Sequence, residues 1–388
     1  MAACSLGGTG HLQPLLPFLA AARRRNDEIL IVGAPGLKEM VELAGYPFHP
    51  GGEPLEVDVA PIRERLSIAA PAEASVLGNR DLFGRMATAA MLPHMEQIVS
   101  EWSPDIVLRD PCEYASAIVA SRHGIPAAQV AISLAEVEAG SITVAAPALE
   151  NHHEGLVDEL RASPYLTRFP ASIDPSPFAK TVRYREDRVT FDRPLPNWWE
   201  GSDAPLVYVT FGTVLGYMSI AAGVFRTVLN AVEHLPARVL LSVGRRFDRA
   251  SLGPLPRNVH VEAWVDQERV FADAAVVVCH GGSGTVWGAL SAGVPVVVVP
   301  VFADQFENGR RILATGAGVV VETHRASSEG GRAVINDVDA PRIREAIEHV
   351  RETPSYRQRA RNVAAEMATV PAVDDVLASL LVGLRRGE

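Results

Sequence analysis

The feature that most constrains this chain is a series of short runs, most of them rich in aliphatic residues, in its second half, at 206–211, 239–243, 259–262, 275–279, 296–299 and 318–321, separated by helical stretches or short turns. A strand that is apolar at every position has to be buried on both faces, which a half-exposed antiparallel sheet does not offer. Such strands alternating with helices predict a parallel sheet covered on both sides. The first half alternates less cleanly. Leu12, Leu15, Leu16, Leu19 and Ala20 recur at helical spacing, strands are expected at 28–32, 105–108 and 127–130, and 35–44 reads as a helix with Pro35 near its start and Gly45 just past its end.

At about 150 residues per domain, 388 residues make two to three domains. The stretch 184–205 carries mixed charges, Pro194, Pro196, Trp198, Trp199 and Gly201 but no sustained period, and reads as the linker. The expected architecture is α/β: a doubly wound domain over 1–188, a linker over 189–204, a second doubly wound domain over 205–370, and a C-terminal helix within 371–388 that crosses back to the first domain. Open sheets of this kind bind ligands beyond the carboxyl ends of their strands, so a cleft is expected where the domains face each other.

Composition narrows the function. The aliphatic run 294–301 is broken by Pro295 and Pro300, and nothing approaches the roughly 18 apolar residues of a membrane span, so stable membrane insertion is not expected. With 36 basic against 46 acidic residues the net charge is −10, which disfavours nucleic acid as a partner. An anionic substrate would then be met by backbone amides and a helix end. Cys4, Cys112 and Cys279 form no CxxC pair, and no basic segment leads an apolar stretch at the N-terminus, so a cytoplasmic protein without disulfides or structural zinc is expected.

The most informative stretch is Val276-Val277-Val278-Cys279-His280-Gly281-Gly282-Ser283-Gly284-Thr285, followed by the helix-like 286–292. A buried strand that ends in a glycine-rich turn and opens into a helix brings free N–H groups and a positive dipole end to one spot, as an anion site requires. The three glycines let backbone approach the anion, and His280, Ser283 and Thr285 add donors. The plainer alternative is a tight turn without a ligand. No Gly-Lys-Ser/Thr is present, and Thr285 stands at the last glycine of G-x-S-x-G, which removes P-loop and hydrolase readings. Gly7-Gly8-Thr9-Gly10 fails the dinucleotide fingerprint, because Gln13 replaces its third glycine and no acidic residue follows Val32-Gly33. Asp337-Val338-Asp339 has the form of a metal-binding DxD but precedes Pro341 and a helix, where Asp is a favoured cap.

Trp264-Val265-Asp266-Gln267, His280 to Thr285, Ala292-Gly293-Val294-Pro295 and Ala303-Asp304-Gln305 follow one another in an order and spacing that resembles the donor-site signature of family 1 nucleotide-sugar glycosyltransferases of the GT-B fold. The resemblance covers the whole chain, including Gly10-His11-Leu12-Gln13-Pro14 and 206–212, and is strongest to bacterial enzymes that glycosylate antibiotics and other secondary metabolites. It implies two Rossmann-like domains, the first binding the acceptor and the second the nucleotide sugar. It also implies roles. Trp264 stacks on the nucleobase with Val265 and Gln267 beside it, unless it is a core tryptophan. His280 with Gly281, Gly282, Ser283, Gly284 and Thr285 holds the diphosphate as charge develops on the leaving group, and Thr213 reaches the same group. Asp304 and Gln305 bind sugar hydroxyls, Asp304 also standing where an N-cap would. His11 occupies the position of the general base, and Asp110 that of the carboxylate which fixes its tautomer. Without the resemblance, a capping His and a loop Asp would be equally fair readings.

Two departures matter. Only Met1 to Leu6 precede Gly7, and Ala2-Ala3-Cys4-Ser5 is a poor strand, so a shortened first strand or a truncated start is expected. Relatives using UDP-sugars commonly carry a ribose-binding Glu eight residues after the motif His, where this chain has Gly288. A TDP-deoxysugar donor follows as the expectation, with a UDP-sugar as the alternative. The expected reaction is inverting transfer, without metal or cofactor, to a small apolar acceptor lined by residues of 82–95 and 137–165 such as Phe83, Met86, Met91, Leu92 and Leu149, which could equally be core. A nucleotide-sugar 2-epimerase and a catalytically silent partner of a true transferase are the rivals. A homodimer is compatible with everything above.

Overall fold

The computed structural model describes residues 2–5, 8–186, 194–323 and 333–386. The chain divides into two compact units, Met1–Asp187 with Val370–Glu388, and Arg188–Thr369.

In the first unit β1 (Ala2–Ser5), β2 (Leu30–Gly33), β3 (Phe48–Pro50), β4 (Val107–Arg109), β5 (Ala127–Val130), β6 (Tyr165–Thr167) and β7 (Thr181–Arg183) form one sheet in the order β3-β2-β1-β4-β5-β6-β7, every pair parallel. Ala2-Ala3-Cys4-Ser5, poor by local preference, runs through the interior of this sheet with Ala2 opposite both Leu30 and Val107. Pairing on both edges overrides a weak propensity, and β1 is as long as β2. The strands β3, β6 and β7 span three residues each, too few to show a period in the sequence. The helix Leu16–Arg24 contributes Phe18, Leu19 and Ala22 to a core shared with Val373, Val376 and Leu377 of the C-terminal helix Val373–Arg386. Arg24 Nε donates to Asp374 Oδ1 at 2.9 Å between these two helices, and a parallel bridge pairs Arg185 with Ala372 where the chain returns.

In the second unit β8 (Leu206–Thr210), β9 (Arg238–Ser242), β10 (Val259–Glu262), β11 (Ala274–Cys279), β12 (Val296–Val298) and β13 (Gly318–Val320) form a parallel sheet ordered β10-β9-β8-β11-β12-β13. Their two-residue repeat sends Val207, Val209, Val239, Leu241, Val276 and Val278 to one face, into a core with Val224, Phe225 and Val228 of the helix Ala221–Val232 and Ile343 and Ile347 of the helix Ala340–Glu352. The expected linker lies partly outside the described residues. Beyond it, Trp198 stacks on His260 with centroids 4.6 Å apart, and Trp199 Nε1 donates to the Asn258 carbonyl at 2.9 Å, so this stretch packs on the second unit. Asp337-Val338-Asp339 is a short turn in which Asn336 accepts from the Val338 amide and Asp339 from the Asn336 amide, a capping box ahead of the next helix.

Each sheet has one place where the strand order reverses, between β1 and β4 and between β8 and β11. Chains leave such a pair of strands in opposite directions, which opens a crevice at their carboxyl ends.

Candidate active site

His11 and Asp110 meet at the reversal point of the first sheet. His11 lies in the single helical turn Thr9–Leu12 after β1, started by bonds from the His11 and Leu12 amides to the Gly8 carbonyl, each 3.3 Å. Gly8 takes φ +80°, a conformation in which a side chain would be strained. Asp110 directly follows β4 and is fully buried. Its Oδ1 accepts from the Cys112 amide at 2.8 Å and the Glu113 amide at 3.1 Å, and stands 3.2 Å from His11 Nδ1. The imidazole remains about a quarter exposed, with Nδ1 on its buried side. The Phe83 ring meets His11 edge-on at 6.2 Å, from a π-helical stretch Val76–Ala87 that packs on the helix Ala135–His152. Such stretches are uncommon and frequent at functional sites. Of the residues expected to line the acceptor, Met91 and Leu149 are core, while Phe83, Met86 and Leu92 are half-buried.

Two further carboxyls of this unit are buried, Glu113 beside Asp110 and Glu138 at the start of the helix Ala135–His152. Burial pushes Glu113 up to about 7 although both its oxygens accept from the Ser116 amide, at 3.1 and 3.2 Å. Burial likewise pushes Glu138 up to about 8, with the amides of Ile132 and Ser133 and the hydroxyl of Tyr165 donating to it at 2.8, 2.7 and 2.6 Å. The sequence reading missed both. The only signal was an acid set among apolar neighbours. His11, Asp110 and Cys112 also each place one donor atom within 4.8 Å of the others, a nitrogen, oxygen and sulfur set of the kind zinc accepts.

In the second unit the glycine turn begins where β11 ends. Gly281 adopts φ +90°, and a Cβ there would lie 2.8 Å from Val298 Cγ1 and 2.9 Å from the Gln305 carbonyl oxygen, so no other residue fits. Gly282 is the N-cap of the helix Ser283–Ser291, whose first amides face the carboxyl ends of β8 and β11. The backbones of Gly282 and Gly212 close on the His280 ring, where a Cβ would come within 2.4 and 2.9 Å of it. Burial lowers His280 to about 4 against the opposing effect of a hydrogen bond with the Thr210 backbone, so the ring is neutral at neutral pH. Ser283 and Thr285 are buried, and Gly284 is exposed on the first turn. Thr213 is half-buried just after β8.

Asp304 stands at the N-cap position of the helix Gln305–Thr315 without capping it; its Oδ2 accepts from Ser283 Oγ at 3.4 Å and Asn308 Nδ2 at 3.2 Å. Gln305 is buried, and its Oε1 accepts from the amides of Val301 and Phe302 at 2.8 and 3.0 Å. That oxygen holds the loop, which leaves only the amide nitrogen of Gln305 for a sugar. In the loop just before Asp304, Ala303 sits at φ +57°, a strained position for a residue with a Cβ. Asn308, which the sequence reading missed, ties the site together by donating to the Gly281 carbonyl at 2.9 Å and Ser283 Oγ at 3.1 Å.

Trp264 is 56% exposed in the loop after β10 and is therefore no core residue. The guanidinium of Arg245, from the loop after β9, lies 5.0 Å over its ring. Val265 and Gln267 are half-buried beside it, with Gln267 Nε2 donating to the Tyr208 hydroxyl at 3.2 Å. Gly288 faces Phe271: a Cβ there would lie 2.5 Å from Phe271 Cε2. The ring fills the space a side chain at 288 would enter, which is a packing reason for the glycine.

Residues 21–212 match the N-terminal domain and 226–382 the C-terminal domain of the erythromycin biosynthesis protein CIII-like (EryCIII-like) family. The elloramycin glycosyltransferase of Streptomyces olivaceus is 30% identical over 96% of this chain and 94% of its own length. The chain belongs to the EryCIII-like glycosyltransferases. This EryCIII-like chain is also 30% identical to the L-demethylnoviosyl transferase of Streptomyces niveus, over 95% of this chain and 93% of the relative. A Streptomyces sp. SF2575 glycosyltransferase, solved in complex with thymidine diphosphate, superposes with a TM-score of 0.75 at 25% identity, covering 98% of each chain. The fold is thus GT-B and the activity is that of an antibiotic-type family 1 glycosyltransferase. No described helix is long and apolar enough to cross a membrane.

Proposed function

We propose that the chain transfers a deoxysugar from a TDP-sugar to a hydroxyl of a small apolar acceptor, with inversion and without a metal. The observation that carries this reading is the placement of His11 against buried Asp110, 3.2 Å apart, at the reversal point of the first sheet. The carboxylate holds the proton on Nδ1 and stabilises the imidazolium as Nε2 takes the acceptor proton. The freed oxygen attacks the anomeric carbon from the face opposite the diphosphate, and one displacement inverts the centre.

The diphosphate leaves from the turn Gly281–Thr285, where helix-end amides, the dipole of the helix Ser283–Ser291 and the neutral His280 ring meet the growing charge. Trp264 offers an exposed face to the base. The thymidine diphosphate bound in the similar SF2575 enzyme supports a TDP donor, and Gly288 agrees with it, although Phe271 gives that glycine a second reason. The test is turnover: incubation with a TDP-deoxysugar and a panel of polyketide hydroxyls should yield a glycoside of inverted anomeric configuration. Turnover with UDP-glucose and with no TDP-sugar would overturn the donor assignment.

A further inference from the structure

Arg109, the last residue of β4, is among the largest fully buried side chains of the molecule. A buried guanidinium is costly unless its donors are used. Its Nη1 lies 3.0 Å from the Asp110 carbonyl, 3.2 Å from that of Pro111 and 2.9 Å from that of Glu113, and its Nη2 donates to Gln129 Oε1 at 3.2 Å. Gln129 sits directly opposite on β5 and passes the tie on, its Nε2 donating to the Leu160 carbonyl at 2.8 Å and Ser163 Oγ at 3.2 Å. The loop 110–113 is thereby held from two sides. Its carbonyls converge on Arg109, while its amides at Cys112 and Glu113 converge on Asp110 Oδ1, the oxygen that faces His11.

We infer that Arg109 is a positioning residue for catalysis: by gathering the carbonyls of 110–113 it fixes the Asp110 carboxylate in the orientation that engages His11. It touches no substrate. The planar fork of an arginine spans several acceptors at once, which a lysine ammonium does not reproduce. The inference rests on the proposed role of His11 as base.

The experiment measures kcat, both KM values and the pH profile of kcat/KM for wild type, Arg109→Lys, Gln129→Met and His11→Ala, with circular dichroism as the check on folding. The groups facing Asp110 are His11 from its helical turn, Cys112, Glu113 and Tyr114 from its own loop, and Arg109 at the end of β4. A loosened Asp110 stabilises the imidazolium less, so the acid limb should move to lower pH by half a unit or more. For Arg109→Lys kcat should fall about tenfold or more, with the KM for TDP-sugar within twofold of wild type. Gln129→Met should move both in the same direction by less, and decides the matter if Arg109→Lys does not fold. If His11→Ala abolishes the acid limb while the folded Arg109→Lys and Gln129→Met leave it in place, the inference on Arg109 is overturned. If His11→Ala itself keeps the limb, it is the base assignment that fails.

Discussion

His11 Nδ1 and Asp110 Oδ1 stand 3.2 Å apart, one residue carried out of β1 and the other out of β4, the two strands between which the first sheet reverses its order. Replacing His11 by Ala should therefore lower kcat by about 10²- to 10⁴-fold with little change in the KM for the donor. Asp110→Asn, which keeps the shape but lets the imidazole take the wrong tautomer, should cost at least about tenfold. Wild-type rates from His11→Ala in a steady-state assay would remove the base from this position.

Trp264 exposes more than half of its surface and carries Arg245 on its ring. Trp264→Ala should weaken TDP binding on the order of 10- to 100-fold, the scale of a lost base-stacking contact, while Trp264→Phe keeps most of it. Isothermal titration with TDP measures this directly, and equal affinities for the three proteins would exclude stacking.

Gly288 and Phe271 are in contact because position 288 lacks a side chain. Gly288→Ala should destabilise by about 1–3 kcal/mol in denaturant titrations, since the ring has to move. Phe271→Leu in the same chain should recover part of the loss. Full stability of Gly288→Ala would remove packing against Phe271 as the reason for the glycine.

Glu138 is held near 8 in the folded protein against an unfolded value of about 4.5. A raised folded pKa contributes stability that is complete below the unfolded value and is lost as pH rises through the folded one. Glu138→Gln should accordingly flatten the decline in melting temperature between about pH 5 and 8. His280 works in the opposite sense between about 4 and 6.5, its depressed value favouring the folded state as pH rises. An unchanged slope in Glu138→Gln would place the titration elsewhere.

Turnover should stay within about twofold of its starting rate in EDTA. Added Zn²⁺ should inhibit through the His11, Asp110 and Cys112 donors, and Cys112→Ser should weaken that inhibition about tenfold. Loss of activity in EDTA, restored by a divalent cation, would contradict metal-free transfer.

The sheets are legible wherever the strands are aliphatic. The six strands of the second unit fall within one residue of the expected runs, because burial on both faces writes itself into nearly every position of β8, β9, β11 and β12, while β10 alternates Val-His-Val-Glu. β3 (Phe-His-Pro) and β6 (Tyr-Leu-Thr) lack an aliphatic run, unlike the equally short β12, and β1 forms from Ala-Ala-Cys-Ser because its neighbours on both sides supply the pairing. Of the site, His280 and the glycine turn could be read because backbone geometry demands glycine at 281. Arg109, Asn308 and Glu138 could not, since their hydrogen bonds to Gln129, Gly281 and Tyr165 join segments at least twenty residues apart. That the Gln305 oxygen holds the loop before it, leaving its amide nitrogen for a ligand, is a use that only the folded backbone reveals.

The most direct test of the central claim is a thermal-shift titration of the chain with TDP, UDP, GDP and ADP side by side. A ligand at 100 times its dissociation constant adds about 2.7 kcal/mol to the stability of the folded state, a shift of several degrees for a unit of this size. TDP should raise the melting temperature more than the other three. No shift with TDP at millimolar concentration would contradict a nucleotide-diphosphate site at the turn Gly281–Thr285.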